Sequence, residues 1–133
     1  MRTFQALILT FTLLATVAYA RKVTMKAASI VPAAQGEVDV SKDKNGNVKL
    51  KIKVDHLAKP ENLTPPQTVY VVWIQAPGGS PENQGQLKVD NKLKANFETA
   101  VPPKTFDLFI TAEPDGLAHA PSGPEVLRAT IQP

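Results

Sequence analysis

His56 and His119 are the only imidazoles in the chain, and there is no cysteine. Without thiolates, cysteine nucleophiles, thiolate zinc sites, blue copper, iron–sulfur clusters and covalent haem attachment are excluded. His56 ends an alternating apolar segment and His119 falls among turn residues, with no carboxylate at a ligand-like spacing beside either. A metal site needs three or four ligands, so both read as surface histidines. Ser29, Ser41, Ser80 and Ser122 lie in no G-x-S-x-G elbow and no S-x-x-K setting, which leaves serine hydrolysis without support. Glu37 and Asp39 would stand about 7 Å apart on one strand face, a separation glycosidases use. Any solvated strand face offers such a pair, and nothing here points to a raised pKa. The expectation is a protein with no reaction and no cofactor of its own.

Residues suited to binding are easier to find. Lys49, Lys51 and Lys53 recur at every second position, extended by Lys42 and Lys44. They could meet an anionic lipid or cell-wall polymer, or form a solvated face that resists edge-to-edge pairing. No aromatic residue interleaves them and the formal charge is only +3, so nucleic acid is not the expected partner. Asp43-Lys44-Asn45-Gly46-Asn47 has the look of a calcium loop but lacks the downstream bidentate acid, and Asn-Gly already explains it as a hairpin turn. Asn62-Leu63-Thr64 matches a glycosylation sequon; Pro65 follows it and the N-terminal leader is bacterial in style, so it is set aside. Two turn-rich loops remain. Ala76–Gln84 is one, and Glu113–Pro124, with Glu113, Asp115, His119 and Ser122, is the better place for specificity.

The elements that must position these residues alternate with period two. In Asn47–His56, Val48, Leu50, Ile52 and Val54 share a face opposite the lysines. Val38 and Val40 alternate with Glu37, Asp39 and Ser41, so these two segments form an antiparallel hairpin. Val23–Val31, ended by Pro32, reads as a first strand. Val69–Ile74 is apolar on both faces and reads as a central strand, with Trp73, the only tryptophan, in the core. Gln86–Val89 and Leu93–Glu98 read as short strands joined at Asp90-Asn91, followed by strands at Phe106–Thr111 and Val126–Ile131. Seven or eight short strands and no helix beyond the leader predict an antiparallel β-sandwich over residues 21–133.

Met1–Ala20 reads as that leader. Arg2 supplies a positive n-region, Ala6–Ala15 is nearly unbroken apolar sequence, and Ala18-Tyr19-Ala20 is a small-x-small cleavage site. The expectation is an exported protein, periplasmic or extracellular, whose mature chain starts at Arg21 and has no transmembrane helix. The rival is an uncleaved N-terminal anchor, because Arg21 and Lys22 follow the site directly. With no disulfide available in an oxidising compartment, packing alone must hold the fold.

Val71-Val72-Trp73, Gly85-Gln86-Leu87, Phe109-Ile110-Thr111-Ala112-Glu113-Pro114-Asp115-Gly116 and Pro121-Ser122-Gly123-Pro124 resemble the C-terminal extracytoplasmic domain of anti-sigma-K factors. That family runs from a Trp-bearing strand through a G-x-L strand to a T-x-E-P…G…P-T-G-P ending. Trp73, Gly85, Thr111, Glu113, Pro114, Gly123 and Pro124 fit, Ser122 stands for the usual threonine, and Leu117–Ala120 departs from the glycine-rich segment. The match covers about residues 69–127. It implies an immunoglobulin-like sensory or interaction sandwich outside the cytoplasm. It does not imply sigma-factor inhibition, because the family's sigma-binding region and membrane helix have no counterpart among these residues. The expected partner is an envelope protein, with a surface polymer on the lysine face as the alternative and a metal-binding or enzymatic sandwich after that.

Overall fold

A computed structural model describes residues 20–133; the leader, and with it the anchor alternative, lies outside the described residues apart from Ala20. Eight strands follow one another: β1 (Arg21–Ala27), β2 (Gln35–Lys42), β3 (Val48–Asp55), β4 (Val69–Gln75), β5 (Glu82–Leu87), β6 (Ala95–Val101), β7 (Phe106–Glu113) and β8 (Glu125–Ile131). All their pairings are antiparallel, in the continuous order β5-β4-β7-β8-β1-β2-β3-β6. β1 makes the turn between two four-stranded layers. Its residues Arg21–Met25 pair with β2, whereas Lys26 and Ala27 pair with β8. With β2, β3 and β6 as A, B and E, and β5, β4, β7 and β8 as C′, C, F and G, the pairings are those of an immunoglobulin-like sandwich. β1 is an added strand bridging A and G.

The period-two pattern decides which side chains enter the core. Val38 and Val40 from β2, Leu50, Ile52 and Val54 from β3, Tyr70, Val72 and Ile74 from β4, and Leu108 and Ile110 from β7 all face it. Each fully buried aliphatic side chain contributes about 1.5–3 kcal/mol. At the open seam the edge strands β5 and β6 are joined by side chains. Thr99 Oγ1 donates to Gln84 Oε1 at 3.2 Å, and Gly85, at φ +131°, leaves room for the Phe97 ring.

Three expected boundaries move. The first strand ends at Ala27, where Ala28–Ala34 turns back on the bonds Val31 N to Ala28 O and Ala34 N to Val31 O. β5 starts at Glu82, inside the expected 76–84 loop, because its polar face is an edge with little to bury. The expected hairpin around Asp90-Asn91 reduces to a single bridge, Val89 to Ala95. Asp90 Oδ1 accepts from the backbone of Lys92 and Lys94 at 2.8 and 3.0 Å, and Leu93 takes a positive φ of 60°. That tight turn carries the chain across to the other layer, where β6 pairs with β3.

Candidate functional site

β4 buries both of its faces, but not in one core. Val71, Trp73 and Phe109 form a second, smaller cluster on the outer side of the β4–β7 pair, joined by Val69 and Ala118. The Trp73 and Phe109 rings stack with centroids 6.5 Å apart and planes 17° apart. The Arg128 guanidinium sits 4.5 Å from the Phe109 centroid, held by Asp107 at 3.2 Å and Glu125 at 2.6 Å. Trp73 is fully buried although it points away from the main core. Its cover includes the connection between β7 and β8, from which Ala118 packs onto the cluster.

That connection is fixed by polar bonds. Trp73 Nε1 donates to Thr111 Oγ1 at 2.8 Å, and Thr111 stands two residues before Glu113 on the same face of β7. Glu113 is fully buried. It accepts from the Ser122 backbone at 2.8 Å, the Ser122 hydroxyl at 2.9 Å and the Gly123 backbone at 2.7 Å. Burial works against its charge, but these donors outweigh burial and hold the carboxyl below its ordinary value of 4.5. Gly123 is required here because a Cβ would collide with the carbonyl oxygen of Ala112. On the other side, Asn83 of β5 donates to the carbonyls of Gly116 and Ala118, both at 3.0 Å. Asp115 Oδ1 accepts from Leu117 N at 2.9 Å and shapes the turn between those contacts. At its tip stands Leu117, 79% exposed.

The two expected loops therefore meet, though only through the end of the first. Pro81, Glu82, Gln84 and Gln86 face Leu117 and His119 across an open groove of about 680 Å³. Of the expected contact residues, His119 lines this groove. Glu113 does not belong with it: its carboxylate is an internal anchor, a correction that follows from complete burial and donors on every side. Asp115 and Ser122 keep exposed surface but use their polar atoms within the loop. Sequence reasoning missed Asn83, whose signal was an amide two residues ahead of Gly85, a glycine at positive φ, and Leu117, a lone large apolar residue in a turn-rich stretch.

The lysine row lies on the opposite layer, and acids stand opposite two of its three members. Lys53 stands opposite Glu37 in β2, Lys51 between Asp39 in β2 and Glu98 in β6, and Lys49 between Ser41 and Ala100. Lys51 reaches Glu98 at 3.6 Å, and Lys22 reaches Glu37 at 3.6 Å. Interleaved opposite charges at this spacing leave little net field to draw a polyanion. Among the described residues, no three acids or histidines gather as a metal site would require. Compared with known proteins, the chain matches no protein-family model and no curated protein.

Proposed function

We propose that this chain is an exported, non-catalytic interaction module of the cell envelope, similar in kind to the extracytoplasmic domains of anti-sigma-K factors. It engages a protein partner through the 114–120 loop and the adjoining edge of β5. One observation carries this reading: Leu117 is 79% exposed on a loop that is pinned at both flanks. A flexible loop would pay an ordering cost when it bound; a preformed one has already met it in folding. A large apolar side chain held out on rigid backbone is a suitable anchor for a complementary pocket. Export rests on the leader at 1–20. The lysine face supports an anionic-polymer partner less well, since acids oppose Lys51 and Lys53.

The test is in-cell photocrosslinking from position 117, with position 51 as the control. The expected result is a discrete adduct from 117 that 51 does not give. If both positions capture the same abundant bystanders, the reading fails.

A further inference from the structure

The two layers part at the end of the sandwich where β1 begins and β8 finishes. Between them is a cavity of about 360 Å³, within the size range of small-ligand sites. Its inner wall includes Val40, Val48 and Ile131, buried residues of β2, β3 and β8. Its rim carries Arg21, Lys42 and Lys104.

Register makes two of these cations unusual. Arg21 pairs with Val40, and Lys42 pairs with Val48. Directly paired residues share a face, so both cations occupy inward positions that Val23, Met25, Val38 and Val40 fill elsewhere on β1 and β2. Among the described residues, none of the three makes an ion pair, and no acidic side chain lines the cavity. The nearby Asp43 is turned into its own hairpin, accepting from Asn45 and Asn47. Three cationic side chains around one apolar opening give it a positive rim that suits an anionic head group.

We propose that this cavity binds a single-tailed anionic amphiphile, a long-chain carboxylate. Its tail lies against Val40, Val48 and Ile131 and its head sits among Arg21, Lys42 and Lys104. The site is separate from the 114–120 loop and does not depend on the function proposed above.

Isothermal titration of the protein with dodecanoate, below the concentration at which it forms micelles, tests this. Dodecyltrimethylammonium serves as the cationic counterpart. Two double charge reversals at exposed lysines change net charge equally: Lys42→Glu with Lys104→Glu at the cavity, and Lys51→Glu with Lys53→Glu on the outer face. Saturable binding of dodecanoate is expected, weakened about tenfold or more by the cavity pair and within about twofold of the parent in the outer pair. The proposal is overturned by absence of saturable dodecanoate binding, by equal binding of the cationic counterpart, or by equal losses in the two double variants. Circular dichroism of each variant confirms that a lost signal is not a lost fold.

Discussion

Glu113 Oε2 lies 2.7 Å from the backbone nitrogen of Gly123, so the last residue of β7 holds the exit of the loop whose entry it forms. Two residues before Glu113 on the same strand face, Thr111 accepts from Trp73, so β7 carries both the tie to the outer cluster and the tie to Ser122 and Gly123. These are also residues on which the resemblance to anti-sigma-K extracytoplasmic domains was drawn. In this molecule they are structural: Glu113 fixes the exit of the loop.

Glu113→Gln keeps the shape of the side chain but removes the charge that three donors share. Removing one partner of a buried charged hydrogen bond costs about 1–3 kcal/mol, so the urea midpoint should fall accordingly at neutral pH. The pH dependence has a defined sign. The unfolded carboxyl binds its proton near 4.5 and the folded one only at lower pH, so the contribution is complete above that value. It is lost as pH falls through the folded pKa. The parent should weaken on acidification below about pH 4.5, and Glu113→Gln should lack that part of the slope. An unchanged urea midpoint and an unchanged acid profile would remove the anchoring role.

Two glycines in the loop should respond unequally to the same substitution. An added Cβ at Gly123 strikes the Ala112 backbone, whereas one at Gly116 meets the end of the flexible Gln86 side chain. Gly123→Ala should therefore destabilise by about 3 kcal/mol, the upper part of the usual range for single substitutions. Gly116→Ala should cost less than about 1 kcal/mol, since Gln86 can swing aside. Thermal denaturation of both variants checks the ordering, and a reversal would contradict this account of the backbone approach.

Tyr70 hydroxyl donates to the Ala58 carbonyl at 2.6 Å and ties the proline-rich connection down against β4. Burial, with Glu61 adding to it, pushes its pKa from 10.0 up to about 12. Between those values the unfolded chain has lost a proton that the folded one keeps, so stability is intact below pH 10 and declines as pH rises towards 12. Tyrosinate absorbance followed against pH should show this residue titrating late. Tyr70→Phe should flatten the alkaline decline while costing about 1 kcal/mol at neutral pH.

Asn83 and Leu117 separate holding the loop from using it. Asn83→Ala frees two carbonyls and also loses the bond from Gly85 N to Asn83 Oδ1 at 2.8 Å, and should speed proteolytic cleavage within 114–120. Leu117→Ser touches only an exposed side chain and should leave stability within about 0.5 kcal/mol. Partner capture should fall in both. Limited proteolysis beside crosslinking yield distinguishes them, and a Leu117→Ser protein that captures its partner undiminished would count against the tip as anchor.

Much of the fold was legible because alternation is a local property: every second residue of Val48–Val54 and Phe106–Ile110 had to face the same way, and those faces had to meet. Asn45-Gly46 likewise announced its own turn. The weakest segments to read were β5 and β6, which among the described residues are the two ends of the strand order, and β5 carries a single large apolar residue, Leu87. The candidate site was half visible. The loop was found from its turn residues, but the role of Glu113 was inverted, because an acid beside a proline looks exposed until its donors are brought to it.

The sequence by itself determined the class of fold, the strands that build it, and the lack of any thiol chemistry, since those follow from composition and from periodicity over a few residues. Only the tertiary structure decided that Trp73 belongs to a second cluster outside the main core, that Glu98 of β6 joins the acids of β2 beside the lysine row, and that Asn83 reaches a loop more than thirty residues away. Each of these depends on which strands become neighbours and in what register. That is settled by the joint burial of distant apolar faces, which no short stretch of chain encodes alone.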